Sequence, residues 1–239
     1  MKPKHILAKP GEVAERAVVS GDPRRVELLA SKLDDARLVS NNRGLLVYTG
    51  RYGDSRVTVA THGIGGPSAA IVFEELVMLG ARAIVRLGTC GGLVESLRPG
   101  DIVIPNGAGY WEGGLYAQYL GGGACMCAVP NYELLEGIVR EAKALGLEFT
   151  VGPVVSNDAF YAESPDFAKE WGRRGALAVE MECAILFLVG LLKGVKTAAI
   201  LVVVNNVLQQ GDFATPELVR PQFEKAFEVA LKALVKCRI

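Results

Sequence analysis

The run at 197–204, Thr-Ala-Ala-Ile-Leu-Val-Val-Val, contains no charge, no glycine and no proline. A strand that is apolar at nearly every position has both faces covered, and such strands belong to sheets with helices packed on either side. The segment at 179–193 reads as its companion, a mostly apolar and therefore buried helix. Short strand-like runs at 17–20, 56–61, 81–87, 101–104 and 150–155 alternate with helical patterns at 24–33, 67–79 and 131–144. A last helix carries Phe223, Phe227, Ala230, Leu231 and Leu234 at helical spacing, with Lys and Arg near its end. This alternation predicts an α/β fold around a largely buried sheet, with residues 1–239 as one domain. No internal repeat or low-complexity linker interrupts it. The segment at 107–123, where glycines and aromatics mix, reads as a mobile loop or an oligomer contact.

Composition narrows the class of function. Lys plus Arg and Asp plus Glu both number 26, so nothing in the net charge points to a nucleic-acid or anionic-membrane partner. No apolar run approaches the roughly 18 residues of a bilayer span, and Met1 to His5 leads into no signal-like apolar stretch. The expectation is a soluble, cytoplasmic protein. Two histidines and five cysteines without paired zinc spacing predict no metal site. Cys125 and Cys127 read as reduced packing thiols, with redox activity as the alternative. The 28 glycines cluster after strand-like runs, where a backbone turns tightly or approaches a ligand.

Five segments carry chemistry. Gly21-Asp22-Pro23-Arg24-Arg25 is a turn feeding a helix N-terminus, and its backbone N–H groups and arginines suit an oxyanion. Arg86 ends an apolar run just before Gly88 and Thr89. It reads as an anion ligand in a glycine-rich nest, because the glycines have no evident use in the alternative, a buried ion pair. His62-Gly63-Ile64-Gly65-Gly66-Pro67-Ser68 tempts a dinucleotide reading, but Ser68 falls where the third glycine belongs. Glu180 and Glu182 flank Met181 at the start of the apolar helix. A spacing of two residues sends one inward and leaves the other for solvent or a partner, and a carboxylate there suits a vicinal diol. Asn205-Asn206 follows the most apolar strand, at the sheet edge where ligands bind, and an amide both donates and accepts.

In this order the segments resemble the nucleoside phosphorylase family of the hexameric purine and uridine type. The likeness runs from Lys4-His5-Ile6 through Asn42-Arg43-Gly44, Arg86-Leu87-Gly88-Thr89 and Asp158-Ala159-Phe160-Tyr161 to Glu180-Met181-Glu182. It implies a phosphorylase/hydrolase-like fold with a mixed, distorted central sheet flanked by helices. It implies an enzyme that cleaves a nucleoside with inorganic phosphate as co-substrate and without another cofactor. By matching position Gly21, Arg25, Arg86 and Thr89 resemble the phosphate site, with Arg43 reaching in from a neighbouring subunit. Met181 and Glu182 match the ribose contacts, with Glu180 beside them in the nucleoside-binding set, Phe160 the base-stacking aromatic, and His5 a neighbour's contact to the ribose 5′ end. The resemblance also implies a homo-oligomer, a trimer of dimers.

The sequence departs from the family at one place. Members acting on 6-aminopurines carry Ser-Asp at the end of the apolar strand, where the Asp protonates the base. Here the pair is Val204-Asn205, and an amide cannot be a general acid but can hydrogen-bond a 6-oxopurine. Uridine phosphorylase and methylthioadenosine phosphorylase stand as alternatives. Against uridine, Ala162-Glu163-Ser164-Pro165 lacks the Gln and Arg that read uracil. Arg220 is one residue out of register with the arginine that assists the acid in adenosine-cleaving members, and it is given no role.

Overall fold

A computed structural model describes residues 2–239 and shows one mixed sheet of nine strands with helices packed on both faces. Met1, the first residue of the N-terminal segment read above, lies outside the described residues. The chain runs β1 (Arg16–Ser20), α1 (Pro23–Ala30), β2 (Asp34–Asn42), β3 (Leu45–Tyr52), β4 (Ser55–Thr61) and α2 (Gly66–Met78). It continues with β5 (Ala83–Gly92), β6 (Ile102–Gly109), α3 (Gly114–Leu120), α4 (Tyr132–Ala144) and β7 (Thr150–Ser156). A 3₁₀ turn at Phe160–Ala162, α5 (Phe167–Arg173), β8 (Ala178–Glu180), α6 (Cys183–Lys193), β9 (Lys196–Asn206) and α7 (Pro216–Lys236) complete it.

The strand order is β2-β3-β4-β1-β5-β8-β7-β6-β9, and β9 also pairs with β5. That last pairing closes β5, β8, β7, β6 and β9 into a circuit, while β1 to β4 form an open wing. Parallel and antiparallel pairs mix, and register shifts at Cys90/Gly91 and Pro105/Gly107 distort the strands, as the resemblance implied. The sheet divides the core. One apolar face packs α2 and α6, with Phe73, Leu76 and Phe187 fully buried. The other packs α1, α4 and α7, with Leu29, Leu134 and Phe227. Burying side chains of this size contributes about 1.5–3 kcal/mol each.

Local chemistry sets the helix starts. Asp22 caps α1 by accepting from the Arg24 N–H at 2.9 Å, and Asn131 caps α4 through Leu134 at 3.1 Å. The helix read at 179–193 is corrected: 178–180 is strand β8 and the helix starts at Cys183. The Glu180 carboxylate accepts the N–H groups of Glu182 and Cys183 at 2.8 and 2.9 Å, so it caps α6 from outside. The glycine-rich run at 88–92, read as a loop nest, instead prolongs β5, because β9 pairs with it along its whole length. The 107–123 segment is not simply a loop, since it holds the end of β6 and all of α3. The hairpin β2–β3 was not anticipated. Cys90, Cys183 and Cys237 are buried as packing thiols, whereas Cys125 and Cys127 are exposed, contrary to their packing reading. They line a cavity of about 330 Å³ with Tyr110 and Tyr116. Among the described residues no helix is long and apolar enough to cross a membrane.

Candidate active site

Arg86 lies mid-sheet on β5, between Val19 of β1 and Ala199 of β9, with 4% of its surface exposed. A guanidinium there must be paired. Its Nη2 donates to Glu182, and its Nη1 lies 3.4 Å from Glu180 and 3.7 Å from the Cys183 sulfur. Burial works against the charge, but Glu182 and the other acidic neighbours outweigh it and hold Arg86 protonated. Gly88 makes this possible, for a Cβ there would overlap the guanidinium. The glycines therefore do serve a buried ion pair, contrary to the argument from sequence. The Nε of Arg86 is buried without a hydrogen-bond partner.

Glu182 occupies the middle of the cluster. One carboxylate oxygen accepts the Gly65 N–H at 2.7 Å, at the N-terminal end of α2, and the other accepts from Arg86. Burial raises its pKa; Arg86, His62 and the Gly65 N–H together bring it below the usual carboxylate range. Neither Glu180 nor Glu182 faces solvent, at 4% and 5% exposure, so the inward-and-outward expectation is corrected. Glu180 is taken up by backbone amides and the Ser156 hydroxyl, and Met181 between them is half-buried.

Beside Arg86 lies the turn after β1. A Cβ on Gly21 would stand 2.9 Å from the Gly63 carbonyl oxygen, so glycine allows the loops after β1 and β4 to touch. Arg25, on the first turn of α1, stacks its guanidinium 4.7 Å from the Phe223 ring centroid and pairs with Asp22 at 3.7 Å. Burial first, and the Arg86 charge as well, lower its pKa against the pull of Asp22. Two guanidinium groups thus sense one another beside Gly21, an arrangement suited to a shared anion. Thr89 is half-buried farther along β5.

The opposite side of the site is open. Asn205 ends β9 partly exposed, and its amide donates to the Gly211 carbonyl at 3.4 Å. Asn206 instead is buried and ties down Val94 and Leu97 at 2.9 and 2.7 Å. Phe160 is 48% exposed and stacks at 6.2 Å on Phe213, a residue that sequence reasoning missed. Three more were missed. Asp158 lies against Gly66, with its pKa raised by burial and by the Glu182 charge. The Tyr116 hydroxyl is buried without a partner, and burial and Asp158 push its pKa up. His62 was weighed only as part of a glycine motif, yet it is fully buried next to Glu182 and Arg86.

His5 and Arg43 stand apart from this cluster. The His5 Nδ1 is 2.8 Å from Glu75, which also accepts the N–H groups of Lys4, His5 and Ile6 and so ties the N-terminal segment to α2. Arg43 is exposed on the β2–β3 turn at φ 58°. Among the described residues neither pairs with Arg25, Arg86 or Glu182. No three His, Cys, Asp or Glu side chains among the described residues are grouped to hold a metal ion. Arg220 lies exposed on α7, paired with Glu224 at 2.9 Å.

The whole chain is similar to known proteins. The profile of the phosphorylase superfamily matches residues 15–236. The guanosine phosphorylase of Halorubrum lacusprofundi is 37% identical over 239 residues, covering 98% of each chain. A DeoD-type purine nucleoside phosphorylase of Clostridium novyi is 33% identical over 230 residues, covering 95% of this chain and 97% of its own. The crystal structure of uridine phosphorylase from Vibrio fischeri superimposes with a TM-score of 0.88 at 27% identity, covering 99% of this chain and 98% of that one.

Proposed function

The chain belongs to the phosphorylase superfamily, and on that premise we propose that it cleaves 6-oxopurine ribonucleosides with inorganic phosphate, releasing free base and ribose 1-phosphate. It is an enzyme of the pentosyltransferase class. The observation that carries the reading is the buried contact between Arg86, the proposed phosphate ligand, and Glu182, the proposed ribose ligand.

In the reaction, phosphate held by Gly21, Arg25, Arg86 and Thr89 attacks C1′ as the glycosidic bond breaks. Positive charge grows on the sugar, and the bound phosphate stabilises it electrostatically. Glu182 accepts from the 2′ and 3′ hydroxyls and holds the ribose in line, beside Met181. Negative charge grows on the departing base, which stacks on Phe160. Asn205 hydrogen-bonds the base at N7 and O6. No covalent enzyme intermediate is needed, and phosphate is the only co-substrate. His5 and Arg43 complete the site of a neighbouring subunit in a trimer of dimers, which accords with the exposure of Arg43 on its turn. The setting is cytoplasmic.

The base preference rests on Asn205 and on the likeness to a guanosine phosphorylase. The structural likeness to a uridine phosphorylase favours a second reading, pyrimidine cleavage on the same scaffold. A panel of inosine, guanosine, adenosine, methylthioadenosine and uridine, each with and without phosphate, decides between them. Turnover of inosine and guanosine only with phosphate, yielding ribose 1-phosphate, is expected. Turnover without phosphate would mean hydrolysis, and a preference for uridine would favour the second reading.

A further inference from the structure

We propose that His62 is a positioning residue for Glu182, its buried imidazole donating an N–H to the carboxylate whenever Arg86 is drawn toward the anionic co-substrate. The inference rests on the phosphorolytic reading above. His62 is held from both sides of its backbone: its N–H donates to the Ser20 carbonyl at 2.9 Å, and its carbonyl accepts from the Ser68 hydroxyl at 2.7 Å. Its ring packs edge-on against Phe73 at 5.5 Å, and Cε1 comes within 3.5 Å of where a Cβ on Gly21 would stand. The imidazole is thus packed behind the Gly21 turn. Among the described residues neither buried ring nitrogen makes a well-formed hydrogen bond, and a Gly63 backbone contact reaches only one of them. A folded chain tolerates such nitrogens poorly unless a ligated arrangement satisfies them.

Glu182 is the acceptor within reach of this loop. Gly65, three residues along, already donates to one of its oxygens, and the charges of His62 and Glu182 act on each other. The other oxygen depends on Arg86. Phosphate competes for that guanidinium, because an arginine between two oxyanions divides its donors between them. A carboxylate left buried without a donor would take up a proton and lose its grip on a diol. A neutral imidazole supplies the missing donor without clamping Glu182 as a second cation would. Burial lowers the His62 pKa to about 4 against the opposing pull of Glu182, and the Arg86 charge acts in the same direction as burial. The ionisable groups that act on Glu182 are Arg86 from β5, His62 from the β4–α2 loop, Asp158 after β7, Tyr116 from α3 and Cys183 at the head of α6.

The test compares His62→Leu, His62→Asn and His62→Gln with wild type on inosine and on 2′,3′-dideoxyinosine, with phosphate, across pH, alongside melting temperatures. The Leu variant, folded, is expected to lose about tenfold in kcat/KM on inosine and little on the dideoxy substrate, which offers Glu182 nothing to hold. Its acid limb is expected to move toward neutral pH, and one of the two amide variants to recover most of the loss. Unchanged inosine kinetics in the Leu variant, or equal losses on both substrates, would overturn the role of His62 while leaving phosphorolysis standing. A wild type inactive on every nucleoside with phosphate would overturn both. If the Leu variant does not fold, His62→Phe, which also lacks a donor, takes its place in the same comparison, and equal losses on the two substrates again decide against the role.

Discussion

The inner floor and the outer wall of the site are built on opposite terms. Arg86, Glu182, Glu180 and Ser156 are all at least 95% buried, and their polar groups are interlocked across β5, β7, β8 and the head of α6. Phe160 and Phe213 are 48% and 60% exposed and come from a short turn and a loop. A reaction centre that must orient charge gains from the first arrangement, since fixed groups in a dry setting act strongly and need no reorganisation. Recognition of a flat heterocycle needs only a face to stack on and an edge to read. The difference teaches that, on the proposed reading, the bond-breaking chemistry would be carried by long-range core packing and base choice by groups that change at little cost to the fold.

That contrast breaks most sharply at Glu182. Glu182→Ala should lower kcat/KM on ribonucleosides by about 10² or more, as loss of a positioned charged contact can. It also leaves Arg86 with Glu180 as its remaining carboxylate partner, and breaking a buried pair costs up to about 3–5 kcal/mol, so the melting temperature should fall clearly. Steady-state kinetics and calorimetry check both, and near-normal rates would remove Glu182 from the ribose subsite.

A smaller effect appears as pH dependence. The unfolded chain protonates His62 near the ordinary value of 6.5, while the folded chain refuses the proton down to about 4. The unfolded state therefore binds more protons between those values, and stability falls as pH drops through that window, by about 1.4 kcal/mol per unit. Melting curves from pH 7 to 5 should show this decline, and His62→Leu should flatten it. An unflattened slope would mean the imidazole is not held neutral by the floor.

The outer wall should respond most gently. Asn205→Asp should raise the ratio of adenosine to inosine turnover while leaving the melting temperature nearly unchanged; an unchanged ratio would place base selection elsewhere. Phe160→Ala should raise the nucleoside KM by about five- to tenfold, the lower end of the about 1–3 kcal/mol that base–aromatic stacking is worth, because the ring is half exposed. A large loss of stability in either variant would erase the distinction between wall and floor.

Legibility in the sequence followed the same division of causes. Arg86 stood out because a charge in an apolar run demands a partner, and the Gly21 turn because glycine and arginines crowd one helix start. The partner itself was hidden, since Arg86 and Glu182 are 96 residues apart. The boundary between β8 and α6 was misread because apolar residues continue across it, and what ends the strand is a side-chain cap from Glu180. The closed circuit of strands was beyond reach for a similar reason, as β5 pairs with β8 and β9, each more than 80 residues away in sequence. Tyr116 lay in a glycine-rich, aromatic stretch with no clear period, and only tertiary structure turns its hydroxyl toward Asp158.

A crystal structure grown with inorganic phosphate would test the joined floor most directly. The account predicts an anion bridging the guanidinium groups of Arg25 and Arg86 and the Thr89 hydroxyl, at about 2.7–3.0 Å from its donors, with Glu182 still held by Gly65. Phosphate bound elsewhere, with Arg86 clasping both glutamates and Arg25 turned away, would contradict it.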